Sequence, residues 1–206
     1  MIYTPFKTNV LIKDFNLSDD WNNTVQSIVR SHFSSRLLEV DGNYSEAGNQ
    51  TKPFFTQENI SKYSEIKQLK DMFIDGFYEL AQSYDNNKLT KDEISKNLAL
   101  SFGKFPFMRK GDYKGAHTHA YITAFSIFYL NDIDNKKNGG QLVLIDPTFD
   151  YTEEYSNPKY FKVETKKNRL IVCPNIVWHE VTPYSGDEER ITLVVNLQLH
   201  TININV

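Results

Sequence analysis

Three histidines in the second half of the chain carry the first sign of chemistry. His117 and His119 stand one residue apart in GAHTHAYITAFSIFYLN, Gly115 to Asn131, at the head of an apolar, aromatic run. If that run is a β-strand, alternate side chains share a face, so both imidazoles project the same way with their ring nitrogens close together. A strand can offer two nitrogen ligands to one metal in this way. His179, in CPNIVWHEVTP, lies on a later segment of strand character. Two ligands from one strand and a third from a distant strand is the usual arrangement of a jelly-roll metal pocket. Alone, His-x-His is a weak signal, because such a pair on a solvent-facing strand needs no metal.

A second feature lies in DEERITLVVNLQLH. Val195, Leu197 and Leu199 alternate with Asn196, Gln198 and His200, and the same parity carried backwards puts Arg190 on one face with Thr192 and Asn196. A guanidinium there has the fork geometry to grip a carboxylate through two hydrogen bonds. The alternative is a solvated arginine, or one paired with Glu188 or Glu189. Other reactive residue types read as structural: Cys173 in RLIVCP as a small buried hydrophobe, His32 as a core or boundary residue, Trp178 as a packing residue, and His200 as exposed. No glycine-rich phosphate loop and no nucleophile elbow is present, so phosphoryl transfer and serine hydrolysis are unsupported.

The elements that would position these residues follow from periodicity. Residues 8–15 read as a first strand, and Ser18 caps a helix over 19–37 with Trp21, Val25, Ile28 and Val29 on its buried face. Residues 39–62 are polar and loop-like, either a lid or a solvated connector. A second helix runs from Ile66 to Tyr84. Strand character then recurs over 96–108, 115–131, 140–146, 159–164, 168–173, 177–183 and 189–200, separated by turn-forming stretches such as RKGDYKG and NDIDNKKNGG. Seven or eight short strands after two helices suggest a β-sandwich or open barrel with helices on one sheet. The division expected is a single domain over 1–206, with a helical support region at 1–95 and a β core at 96–206.

The 206 residues suffice for one substantial core. A net charge of -3 leaves no basic excess to neutralise a phosphate backbone, which disfavours nucleic acid as a partner. One cysteine excludes an internal disulfide and a cysteine-rich zinc site, and fits a cytoplasmic setting. No leader-like start and no bilayer-length apolar run is present, so neither export nor a membrane partner is expected.

With these residues in view, HTHAYITAFSIFYLND…NGGQLVLIDP…NRLIVCPNIVWHEVTPYSGDEERITLVVN resembles the core of the iron(II)- and 2-oxoglutarate-dependent oxygenases. The likeness is to prolyl-hydroxylase-like members, and to the bacterial and phage group in which His-x-His replaces the usual His-x-Asp. It covers about residues 98–200. It implies a mainly β fold, a double-stranded β-helix (jelly-roll) core with N-terminal support helices packed on one sheet. It makes His117 the first metal ligand, His119 the occupant of the carboxylate position and His179 the distal ligand, for Fe(II). Arg190 would then hold the far carboxylate of 2-oxoglutarate, with Tyr129 of FYLN donating to the same carboxylate and Thr192 as a hydroxyl helper. Gly139 and Gly140 match the turn after the YLN strand, where chain reversal is as fitting a role as a direct one. The implied activity is a dioxygenase, a hydroxylase of a peptidyl or small-molecule substrate that consumes dioxygen and converts 2-oxoglutarate to succinate, with residues 39–62 as the candidate lid.

The chain departs from the pattern in one place. A neutral imidazole in the carboxylate position leaves the metal site one unit more positive. Either Asp112 or another carboxylate completes the site, or His119 itself does, or His119 binds no metal. Two rival readings stand beside the oxygenase. One is a cupin-like dioxygenase or isomerase with three histidines and no 2-oxoglutarate, suggested by GDYKGAHTH. It lacks the acidic residue expected soon after the pair and gives Tyr129 and Arg190 no role. The other is a non-catalytic β-sandwich that uses the pocket for binding.

Overall fold

In the computed structural model, residues 1–4, 8–32, 37–38, 44–45, 54–84, 88–102, 107–147 and 159–200 are described. The chain runs β1 (Ile2–Tyr3), β2 (Val10–Asp14), α1 (Asp19–His32), β3 (Leu37–Leu38), β4 (Tyr44–Ser45), α2 (Gln57–Lys62), α3 (Ser64–Gln82), α4 (Lys91–Asn97) and β5 (Leu98–Phe102). It continues through β6 (Phe107–Met108), β7 (Lys114–His117), β8 (Ala124–Tyr129), α5 (Asn135–Asn138), β9 (Leu142–Ile145), β10 (Tyr160–Val163), β11 (Arg169–Pro174), β12 (Trp178–Val181) and β13 (Arg190–Leu199).

Two antiparallel sheets result. The major sheet has the order β1-β2-β11-β8-β13-β5, with β6 also pairing with β13; the minor sheet has the order β10-β9-β12-β7, and β3 pairs with β4. Strand parity decides what lies between the sheets. Phe125, Ile127 and Tyr129 of β8 project from one face of the major sheet and pack with Leu142 and Leu144 of β9, Val163 of β10 and Val181 of β12. Phe128 of β8 and Leu193, Val195 and Leu197 of β13 project from the other face, against Val25 and Val29 of α1 and Leu69, Phe73 and Phe77 of α3. With both faces covered, β8 is buried along its whole length, whereas β10 and β12 alternate between core and solvent because only one face of the minor sheet is covered. Facing antiparallel sheets with helices on one of them is the architecture expected from the sequence.

Several boundaries differ from expectation. The run from 115 to 131 is not one strand: β7 ends at His117 in the minor sheet, the chain crosses over at 118–123, and β8 begins at Ala124 in the major sheet. The expected strand 96–108 is two short strands, with 103–106 outside the described residues. Residues 91–97 form α4 instead, started by a capping box in which the Thr90 hydroxyl accepts from the Glu93 N–H and the Glu93 side chain accepts from the Thr90 N–H. That signature is worth about 1 kcal/mol and was legible as T-x-x-E. The first helix ends at His32 among the described residues, and 33–36 lie outside them. Most of the candidate lid, 39–43 and 46–53, also lies outside, while Gln57–Lys62 is a helix capped by Thr56 rather than loop. Among the described residues no helix is long and apolar enough to cross a membrane.

Candidate active site

Strand register brings the first two histidines together. His117, the last residue of β7, lies directly opposite His179 of β12, so both rings project inward from the minor sheet with centroids 4.2 Å apart. His119 is not on that strand. It lies in the crossover between the sheets, where its ring stacks on Phe125 of β8 at 4.8 Å and 14°. The juxtaposition expected from His-x-His is therefore present, but it arises from cross-strand pairing and a chain crossing rather than from alternation along one strand. One ring nitrogen from each of the three histidines lies within 4.8 Å of the others, and among the described residues they form a group able to hold a metal. Asp112 stands outside that group; its carboxylate accepts the Arg109 N–H at 2.5 Å across a turn.

Each ring is oriented by an oxygen. His117 Nδ1–H donates to the Gly115 carbonyl at 2.8 Å, His179 Nδ1–H to the Val177 carbonyl at 3.2 Å, and His119 Nδ1–H to the Asn196 side-chain oxygen at 2.8 Å. A carbonyl oxygen only accepts, so the proton sits on Nδ1 and the Nε2 lone pair is left for a ligand. His119 Nε2 is buried and has no hydrogen-bond partner among the described residues. Burial pushes the His119 imidazole down to about 4, aided by nearby His117 and partly offset by the bond to Asn196. Burial, with His117 and His119 close by, also takes His179 well below the ordinary histidine range. At neutral pH both are uncharged, the form in which an imidazole binds metal.

A second polar constellation sits farther along the same inward face. Thr192 lies opposite Tyr129 across β13 and β8, and Arg190 is two residues away. Arg190 is 1% exposed. It donates to Thr192 Oγ1 and to Met108 Sδ, both at 3.3 Å, and its guanidinium lies over the Tyr129 ring at 5.2 Å. Its Nε and the Tyr129 hydroxyl are buried without hydrogen-bond partners among the described residues. Burial raises the Tyr129 phenol, against the pull of Arg190, so the hydroxyl keeps its proton for donation. The solvated and glutamate-paired alternatives for Arg190 both fail. Glu189 is engaged instead by Arg30 at 2.7 Å and Arg109 at 2.9 Å. Gly139 and Gly140 have φ of 66° and 65°. A Cβ on Gly140 would lie 2.9 Å from Tyr184 and 3.3 Å from Arg190 Cδ, so the turn both reverses the chain and leaves space for the arginine stem.

The remaining assignments divide. Cys173 is buried, and burial raises its thiol; His200 is exposed; His32 packs edge-on against Phe54 at the core boundary. Trp178 is a correction: it is 48% exposed on the outer face of the minor sheet, because its parity is opposite to that of inward-facing His179. Asn196, Phe125 and Met108 were not assigned to the site from the sequence. The alternation in β13 already put Asn196 on the face of Arg190, which was the available signal.

Two facing antiparallel sheets enclosing a histidine triad and a buried arginine define a jelly-roll protein with a candidate metal pocket. Residues 106–196 match the family model described as "Putative 2OG-Fe(II) oxygenase", and that segment contains every candidate site residue. Over that segment the chain is similar to this family, and the architecture shared with the solved structures below is the double-stranded β-helix. A prolyl-4-hydroxylase from Pseudomonas putida is similar in structure, with a TM-score of 0.55 at 15% identity over 93% of both chains. A prolyl hydroxylase from Trichoplax adhaerens, solved with a hypoxia inducible factor peptide fragment, gives 0.54 at 14% identity, over 92% of this chain and 83% of that one. The non-heme alpha ketoglutarate dependent epimerase SnoN from nogalamycin biosynthesis gives 0.57 at 11% identity, over 93% and 79%. At these identities the fold is what is shared. None of the curated proteins compared matches the chain.

Proposed function

We propose that the protein is an iron(II)- and 2-oxoglutarate-dependent hydroxylase, with His117, His119 and His179 as metal ligands and Arg190, Tyr129 and Thr192 as the binding site for the far carboxylate of 2-oxoglutarate. The observation that carries this reading is Arg190: a guanidinium 1% exposed, with no ion pair among the described residues. Leaving a buried charge uncompensated costs several kcal/mol, so the pocket is built for an anion that arrives as a ligand. Along β8 the histidine end at Phe125 and the arginine end at Tyr129 are four residues, or about 13 Å of strand, apart. A five-carbon dicarboxylate and a metal can together occupy that length.

Bound iron(II) and 2-oxoglutarate would supply the activation of dioxygen, coupling substrate oxidation to decarboxylation of the cosubstrate to succinate. The chain's own residues bind, orient and exclude water. The backbone carbonyls of Gly115 and Val177 and the Asn196 amide keep the Nδ1 protons in place. Arg190 neutralises the carboxylate, Tyr129 donates its phenolic proton to it, and Thr192 holds the guanidinium. Leu142, Leu144 and Val181 keep the space between the sheets dry, which strengthens each of these interactions. A three-histidine enzyme without 2-oxoglutarate has no use for the arginine end.

The substrate reading is a peptidyl or small molecule, and the rim favours a peptide. Tyr121 is 98% exposed in the crossover that carries His119, and exposed Ile176 lies in the segment that leads into the strand of His179. The two segments touch where the Asn175 N–H donates to the Thr123 carbonyl at 3.3 Å. Aromatic and aliphatic side chains held outside the pocket suit a substrate that extends beyond it. Succinate formation from 2-oxoglutarate tests the assignment: it is expected in the wild type and lost in Arg190→Ala and His179→Ala, and undiminished turnover in either variant refutes that residue's role.

A further inference from the structure

We infer that Asn196 is the positioning residue that makes His119 a metal ligand, and that it is what allows this chain to place a histidine in the carboxylate position. The inference rests on the reading of the histidine triad as a metal centre. A carboxylate ligand needs no tautomer. An imidazole does, because only one of its nitrogens can face the metal and that nitrogen must carry the lone pair.

His117 and His179 have this settled by backbone carbonyls two residues before them in the chain, Gly115 and Val177. His119 lies in the crossover and is served by no such local carbonyl; its Nδ1 meets the side chain of Asn196, 77 positions away in sequence. Register explains why that side chain is there. Asn196 of β13 lies directly opposite Phe125 of β8, so the two project side by side from the inward face of the major sheet. The His119 ring lies flat on Phe125 at 4.8 Å and 14° while its edge is held by Asn196 at 2.8 Å. Phe125 also stacks on His179 at 4.2 Å and 23°. One cross-strand pair therefore fixes the plane and the rotation of His119, and ties it to a second ligand.

An asparagine amide can meet an imidazole in two ways. With its oxygen toward the ring, Nδ1 is protonated and Nε2 is free to bind; with its nitrogen toward the ring, the reverse holds and His119 presents an N–H to the site. The buried, unpartnered Nε2 of His119 fits the first arrangement, in which a metal completes it.

The test uses the full chain, free of metal, with isotope-labelled histidine, and reads the ring nitrogen chemical shifts at alkaline pH, followed by titration with cobalt(II). The expected result is His119 with its proton on Nδ1 in the wild type and in Asn196→Asp. In Asn196→Ala the proton should move toward Nε2 at His119 only, with cobalt affinity lowered about 10- to 100-fold. Unchanged shifts at His117 and His179 separate this role from a general loss of structure. Nε2 protonation at His119 in the wild type overturns the inference whatever the variants do, as does Asn196→Ala with unchanged tautomer and affinity. A wild type that shows the Nδ1 proton but takes up no cobalt overturns the metal reading beneath it.

Discussion

The two ends of the candidate pocket are built on different principles. The arginine end rests on the paired central strands β8 and β13, in a sheet covered on both faces, where register alone sets Tyr129 opposite Thr192. The histidine end is assembled from the last residue of a four-residue strand, an inward position on β12 and a crossover between sheets. At the first end, geometry is fixed and charge is left uncompensated among the described residues; at the second, groups are neutral and each orientation needs its own hydrogen bond. On the proposed function, a site of this kind would join a rigid socket for the anion to a metal centre that depends on contacts outside the metal's own ligands.

This contrast makes the two ends respond oppositely to substitution. The largest effect expected is at Arg190. Arg190→Leu removes an uncompensated buried charge, so the ligand-free protein should gain about 1–4 kcal/mol of stability while 2-oxoglutarate turnover is lost. Thermal melts with and without 2-oxoglutarate check both halves. A ligand-free Leu variant less stable than the wild type would mean that Arg190 has a counter-charge and that the socket is not strained.

The histidine end should show the opposite dependence, on protons. His119 in the folded chain is lowered to about 4, and His179 is lowered too, so the unfolded chain binds more protons below the ordinary histidine value of about 6.5. The stability these rings contribute is present in full above that value and is lost as pH falls from about 6.5 through about 4. For His119 the loss is on the order of 2–3 kcal/mol, and His119→Phe should flatten that part of a denaturation profile of the metal-free protein. A profile of the variant parallel to the wild type would place His119 in solvent rather than against Phe125. The smallest effect is back at the arginine end: Thr192→Val removes one long hydrogen bond to a charged group, worth about 1.5 kcal/mol, and should raise the KM for 2-oxoglutarate about tenfold with kcat nearly unchanged. A fall in kcat instead would put Thr192 beside the reacting atoms.

The same contrast governs what could be read from the sequence. Period-two alternation in RITLVVNLQL gave the face shared by Arg190, Thr192 and Asn196, because a long paired strand obeys one rule throughout. The burial of Arg190 was not legible, since parity says which face a residue takes but not that Arg30 and Arg109 draw Glu189 away. At the histidine end, alternation led to the right group of residues by a wrong route. GAHTHAYITAF has no proline and no Asn-Gly or Gly-Gly turn to mark where β7 stops, and the crossing at 118–123 includes Tyr121 at a φ of 64°, which a periodicity argument does not anticipate. Asn196 was on the correct face but unassigned, because its partner His119 comes from a segment that sequence reading had kept within a strand.

The most direct test of the central claim, that the two ends form one pocket for 2-oxoglutarate on a metal, is an anaerobic titration of the metal-free protein with iron(II) and then 2-oxoglutarate. The visible charge-transfer band of a chelated 2-oxo acid is followed in the wild type and in Arg190→Ala. The account predicts a band in the wild type that is lost, or demands far more 2-oxoglutarate, in the variant. Iron uptake without a band, or a band indifferent to Arg190, would contradict it.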